Sequence, residues 1–226
     1  MSAPPARVFV FDAYGTLFDV HAPVGRVAGD LGEQAQALSR LWRQKQLEYS
    51  WLRSLMGRHR DFWGITQDAL DYALASFRIA APSVRERLLA CYRQVDAYPD
   101  ARPLLEALKR RGHATAILSN GEPGMLQAAV ANAGFADLLD AVLSVEEIGV
   151  FKPDPRVYGL VRTHFGAEPA ATDFVSSNAW DAAGAAAFGF RVHWINRAEM
   201  PWENLGIDQP DTIASLTALI DRLDGR

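Results

Sequence analysis

Short, unbroken apolar runs recur along the chain at intervals too long for hairpins. Val8 to Phe11 is the first; Ala114 to Leu118, Ala141 to Leu143, Phe174 and Val175, and Val192 to Ile195 follow. Runs without polar alternation suit strands buried on both faces, as in a parallel sheet. Between them lie stretches of helical periodicity: Leu104 to Arg111, Met125 to Ala133, Pro155 to Phe165 and Ala182 to Phe188. A glycine follows each one (Gly112, Gly134, Gly166, Gly189), as a helix terminator should. Strands alternating with helices predict an α/β fold with a doubly wound parallel sheet.

One interval breaks the alternation. From about Asp19 to Tyr98 only helical patterns occur, and roughly eighty residues are too many for a plain loop. The pattern therefore predicts a core domain from residues 1–18 and 98–226, with a helical cap subdomain, 19–97, inserted after the first strand. Within the insertion Leu38, Leu41, Trp42, Tyr49, Leu52 and Met56 share one helix face, while Arg43, Leu47, Trp51 and Leu55 form a row on the other. A helix apolar on two sides needs two surfaces to pack on. One is the rest of the insertion; the other is the core or a second copy of the chain, and a homodimer is the expectation.

Composition narrows the function classes. The 226 residues carry a net charge of −4 and contain no basic run of the kind nucleic acid or an anionic membrane requires. No segment approaches the roughly 18 apolar residues of a membrane span. The N-terminal stretch MSAPPARVFVFD lacks the apolar length of a secretory signal. The lone cysteine, Cys91, reads as a small apolar helix residue in a reducing compartment, so the expected location is cytoplasmic. The five histidines show no metal-ligand spacing, and neither a GxSxG elbow nor a glycine-rich phosphate loop occurs.

In an open parallel sheet, ligands bind beyond the carboxyl ends of the strands. Those ends carry Asp12, then Ser119-Asn120-Gly121, then Ser176-Ser177-Asn178, and Lys152 sits in a proline-bounded loop before a helix. Taken singly, each has a plain reading. Arg43 reads as an arginine laid along a packing face, Lys152 as a surface lysine, Ser177 or Asn178 as a helix cap, Thr16 as a turn residue, Phe62 and Trp180 as core aromatics, and Tyr158 as a packed tyrosine with a bonded hydroxyl.

Taken together, Asp12, Ser119, Lys152 and Asp181 resemble, in that order, the motifs of the haloacid dehalogenase superfamily, which implies a Rossmann-like core with an inserted helical cap. The departures from its metal-dependent phosphatases are informative. Those enzymes read DxDxT, with the second aspartate as general acid; here the string is Asp12-Ala13-Tyr14-Gly15-Thr16. A tyrosine near pKa 10 cannot supply that proton readily. Ser177 stands where a metal-holding aspartate would precede Asp181. Both losses suit displacement of a halide, which leaves without being protonated.

The strings FDAYGTL, LWRQKQLEYSWLR, LSNG, FKPDPRVY and SSNAWD resemble more narrowly the L-2-haloacid dehalogenases. That resemblance implies a hydrolase acting on carbon–halide bonds, without metal or cofactor, on a small-molecule 2-haloacid with halide as product. Asp12 would attack C2 with inversion and form an ester. Ala13, Tyr14, Ser119 and Asn120 would bind the substrate carboxylate and its surroundings, and Arg43 the halogen or the carboxylate. Asn120, Phe62 and Trp180 would cradle the halide. Thr16, Lys152, Tyr158, Ser176 and Asn178 would hold Asp12, and Asp181 with Lys152 would activate water. Two alternatives remain: a phosphatase with an altered acid, and a silent fold used for binding.

Overall fold

The structure is a computed structural model that describes residues 6–225; residues 1–5, with the prolines of the N-terminal stretch, and Arg226 lie outside the described residues. Among the described residues the strands are β1 (Val8–Phe11), β2 (Ala114–Ser119), β3 (Ala141–Ser144), β4 (Thr172–Ser176), β5 (Arg191–Ile195) and β6 (Asp211–Ile213). They form one sheet, parallel throughout, in the order β3-β2-β1-β4-β5-β6. The chain steps from β1 outward to β3, then returns across β1 to start β4. That reversal puts a crevice at the carboxyl ends of β1 and β4, where doubly wound sheets bind ligands.

The helices are α1 (Ala22–Arg26), α2 (Ala28–Leu31), α3 (Ala35–Leu55), α4 (Phe62–Ser76), α5 (Pro82–Tyr92), α6 (Ala101–Arg110), α7 (Pro123–Ala133), α8 (Pro155–Phe165), α9 (Ala179–Phe188) and α10 (Leu216–Leu223). Helix α6 packs on β2 and α10, whereas α8 packs on α9, which lies along β4 and β5. The change of crossover direction at β4 sends these two groups to opposite faces.

The predicted strands and helices are present: β1 and α8 have the predicted bounds, α6 stops one residue earlier at Arg110, and most of the others gain residues at one or both ends. Strand β4 extends to Thr172 because its polar residues are buried and paired: Asp173, fully buried, meets Arg7, Arg191 and His193. Edge strand β6 has three residues and no apolar run, so periodicity does not reveal it.

Helices α1 to α5 form one continuous insertion between β1 and α6, with α3 lying along α4. The expected apolar face of α3 needs correction. Leu38 and Trp42 are buried, but Leu52 and Met56 are 51% and 64% exposed. The buried face continues instead through Gln46 and Ser50. Gln46 donates to Thr66 Oγ1 at 2.9 Å, and Trp42 donates to the Thr66 carbonyl at 2.9 Å. Satisfied polar groups thus complete a helix interface that hydrophobic periodicity assigns to leucine and methionine. The opposite row also divides: Leu47 lines a cavity beside the sheet ends, Trp51 packs edge-on against Trp180 at 5.3 Å, and Leu55 is 84% exposed. Among the described residues no helix is long and apolar enough to cross a membrane.

Candidate active site

Strand register delivers Asp12. Phe11 pairs with Ile117 on β2 and Val175 on β4, and the Asp12 N–H donates to the Val175 carbonyl at 2.9 Å. The chain then turns sharply, the Ala13 carbonyl accepting from the N–H groups of Leu17 (2.9 Å) and Phe18 (3.0 Å). Gly15 sits in this turn at φ 93°, and a Cβ there would lie 3.2 Å from Ser177 Oγ. Both backbone and space call for glycine.

The Asp12 carboxylate is almost fully buried and accepts three donors. Lys152 Nζ reaches Oδ1 at 3.1 Å; Asn178 Nδ2 and Thr16 Oγ1 reach Oδ2 at 2.8 and 3.2 Å. Lys152 Nζ also donates to Asp181 Oδ2 at 2.8 Å. Asp181, fully buried, accepts from Ser176 Oγ on Oδ2 (3.1 Å) and from the Tyr158 hydroxyl on Oδ1 (2.8 Å). The surface reading of Lys152 is therefore wrong: the residue is 1% exposed, and its ammonium is the link between two carboxylates. The capping reading of Asn178 also fails. Asn178 occupies the N-cap of α9 without a side-chain cap, its amide donating instead to Asp12 and to the Tyr14 carbonyl at 3.1 Å.

Environment sets the charges. Burial alone would push Lys152 down, but Asp12 and Asp181 outweigh it and hold the ammonium above the usual lysine value. Burial, aided by the Asp12 charge, pushes Asp181 up to about 6 against the pull of Lys152. Tyr158 is driven well above 10 by burial and by Asp181, so its hydroxyl stays a donor. Tyr14 is likewise driven well above 10, first by burial and then by Tyr92 and Glu122.

Aromatic side chains of the segment between β1 and α6 pack on the nucleophile turn. Phe62, placed at the first turn of α4 by the Asp61 cap, stacks near Tyr14 (6.4 Å) and meets Phe151 at a tilt (6.0 Å). Tyr14 also stacks on Tyr92 at 5.9 Å. The Asn120 carbonyl oxygen accepts the Lys152 N–H at 3.0 Å, which fixes the amide and turns its NH₂ the other way. Ser119 Oγ accepts the Gly121 N–H at 3.0 Å and keeps its own proton to donate. Arg43 makes no direct bond to Asp12; it lines a cavity of about 500 Å³ with Gly15, Leu47, Asn178 and Trp180. Hydrogen bonds thus join Asp12, Thr16, Lys152, Tyr158, Ser176, Asn178 and Asp181, and Arg43 and Trp180 line the adjoining cavity with Asn178.

Contacts that local pattern does not show also shape the site. The Ser177 N–H donates to Thr16 Oγ1 at 2.9 Å, freeing the threonine proton for Asp12. Gly184, inside α9, leaves space for Tyr158: a Cβ there would stand 2.5 Å from its hydroxyl. A glycine in mid-helix costs about 1 kcal/mol against alanine, and that cost was the available signal. Among the described residues no group of three or more His, Cys, Asp or Glu could hold a metal ion. The two carboxylates nearest such a role already share the Lys152 ammonium.

A parallel sheet whose first strand ends in a buried carboxylate, bridged by lysine to a second one, defines an α/β hydrolytic class centred on aspartate. Residues 6–189 match the family model of haloacid dehalogenase-like hydrolases. The chain is 49% identical to (S)-2-haloacid dehalogenase 1 of Pseudomonas sp. (strain CBS-3), over 95% of each chain. It is 48% identical to (S)-2-haloacid dehalogenase 4A of Burkholderia cepacia, over 87% of this chain and 86% of that one. The solved L-2-haloacid dehalogenase of Xanthobacter autotrophicus with chloropropionic acid covalently bound superposes with a TM-score of 0.89 at 38% identity, covering 98% of this chain and 99% of that one. The chain belongs to the haloacid dehalogenase-like hydrolase family, among its (S)-2-haloacid dehalogenases.

Proposed function

We propose that the protein hydrolyses the carbon–halogen bond of short (S)-2-haloalkanoic acids without a metal ion, giving the inverted (R)-2-hydroxyacid. One observation carries the reading: Asp12 is oriented by three donors, one of them the Lys152 ammonium, and accompanied by Tyr14 where a phosphatase needs a carboxylic acid. Such a site favours a leaving group that needs no proton.

In the first step an Asp12 oxygen attacks C2 opposite the halogen; the C–O bond forms, and the C–halogen pair departs as halide. Arg43, the Asn120 NH₂, Phe62 and Trp180 receive the halide, while Ser119 and the Ala13–Tyr14 turn face the substrate carboxylate. In the second step water attacks the Asp12 carbonyl carbon and passes a proton to Asp181, which Lys152, Ser176 and Tyr158 hold in place. Thr16 and Asn178 are set to steady the oxyanion on Oδ2. Collapse expels the hydroxyacid oxygen, which takes the proton from Asp181, and Asp12 then loses its acidic proton. One halide and one proton are released per substrate.

The same reading makes residues 19–97 a cap over the site, supported by the Phe62–Tyr14 and Trp51–Trp180 contacts. It makes the protein a homodimer, supported by exposed apolar residues on α3. It places the enzyme in the cytoplasm, supported by the single cysteine.

The test is halide release from L- and D-2-chloropropionate in excess EDTA. The expected result is release from the L isomer alone, yielding D-lactate, with none from Asp12→Asn. Release that requires Mg²⁺, or that survives Asp12→Asn, would overturn the mechanism.

A further inference from the structure

The nucleophile turn is also the point where the chain leaves the sheet for the helical insertion, and residues 96–100 are where it returns. The two crossings are stitched together: the Asp19 N–H donates to the Asp96 carbonyl at 2.8 Å, and the Tyr98 N–H to the Leu17 carbonyl at 2.8 Å. One side chain outside both crossings grips them. Arg197, two residues beyond β5, donates through Nη2 to the Thr16 carbonyl at 3.3 Å. Its two terminal nitrogens also form a fork on Asp100, at 2.6 and 3.1 Å, and its guanidinium lies 4.4 Å from the centre of the Tyr98 ring. Asp100 is itself fixed by the Leu216 N–H at 2.9 Å, at the start of α10. Arg197 further lines the cavity that holds Arg43, Asn178 and Trp180.

We propose that Arg197 is a positioning residue for the nucleophile: by clamping the outgoing and returning crossings it holds Thr16, and through Thr16 the attacking carboxylate. The link is short. Thr16 gives its carbonyl to Arg197, its hydroxyl proton to Asp12 Oδ2, and its hydroxyl oxygen to the Ser177 N–H. Moving the Thr16 backbone therefore moves a donor on the reacting group. The clamp needs a planar fork with donors to spare, since two nitrogens serve three acceptor atoms; a lysine has one nitrogen at the end of its stem and cannot reach both crossings in that way. Misplacing a reacting group by about an ångström costs on the order of 10²-fold in rate.

This inference rests on the dehalogenase reading, which the wild-type enzyme tests first. Arg197→Lys and Arg197→Gln are assayed by single-turnover halide release from L-2-chloropropionate with enzyme in excess, alongside melting curves. The single-turnover rate constant is a property of the folded molecules, so a merely structural role lowers the melting temperature or the amplitude and leaves the rate constant alone. A positioning role lowers the rate constant at least tenfold in both variants, with KM changed less than kcat in steady state. Should Arg197→Gln not fold, Arg197→Lys alone decides. Rate constants within twofold of wild type would overturn the proposal. Absence of halide release from the wild type would overturn the dehalogenase reading, and this inference with it.

Discussion

Lys152, Asp12 and Asp181 are tolerable in a dry site only as a set. A lone buried ammonium or carboxylate pays heavily for desolvation, and one cation between two carboxylates leaves a single negative charge, spread over four oxygens that accept bonds. Asp181 absorbs the imbalance: it is raised to about 6 by burial first and by Asp12 second. The consequence has opposite signs for stability and for rate. An aspartate with a raised folded pKa favours the fold most when protonated, so its contribution is full below the ordinary carboxylate value and is lost as pH rises through about 6. In the proposed mechanism the second step needs the carboxylate, so ester hydrolysis should slow as pH falls through about 6. Tyr158 helps hold Asp181 down by donating to Oδ1. Tyr158→Phe is therefore expected to shift the acid limb of the kcat profile to higher pH. A limb that stayed in place or moved down would mean another group controls it.

At the scale of elements, the sequence shows most plainly whatever is decided by apolar burial. The runs of β1 and β2 and the glycine-ended helices α7, α8 and α9 could be read directly, because strands buried on both faces and left-handed helix ends leave local marks. Where tertiary pairing stabilises polar residues, local pattern fails: Asp173 in β4 and Gln46 inside the insertion are buried with partners distant in sequence. Asp12, Ser119, Asn120, Ser176 and Asn178 could be singled out because they follow strand ends, whereas Arg43, Phe62, Tyr158 and Trp180 lie on helices and only the resemblance points to them. The packing of the site was not legible, because Gly184 matters only through Tyr158 and Pro153. Gly184→Ala would place a Cβ 2.5 Å from the Tyr158 hydroxyl and 2.7 Å from Pro153 Cβ. Overpacking of this kind costs about 1–3 kcal/mol, and in a chain of this size each kcal/mol lowers Tm by about 2–4 °C. Gly159→Ala in α8 meets no atom within 4 Å and should raise Tm slightly, by relieving helix propensity alone. Equal melting temperatures for the two variants would remove Gly184 from the account of how Tyr158 is placed.

Among the described residues, exposed large apolar side chains group at the end of one helix, with Val142, Met200 and Leu205 exposed singly elsewhere. Leu47 and Trp51, which sequence pattern offers to a second copy, are taken up by the site cavity and by Trp180. What remains exposed is the end of α3, Leu52, Leu55 and Met56, with Tyr72 of α4 beside Tyr49 at 6.4 Å. A cluster of large apolar side chains at the open end of a 21-residue helix is a surface that water penalises, and a symmetric pairing of two copies would cover it twice over. The cluster sits at the end of the helix that also carries Arg43, so pairing through it would brace the helix whose Arg43 and Leu47 line the cavity. Light scattering at micromolar concentration should give twice the 24.9 kDa chain mass, and Leu55→Glu with Met56→Glu should give the single mass. If the double variant stays dimeric, the interface lies elsewhere. If the unaltered protein is monomeric, these residues stand exposed for some other purpose, and α3 is held by contacts within the chain, with α4, Tyr92, Trp180 and the Phe151 N–H.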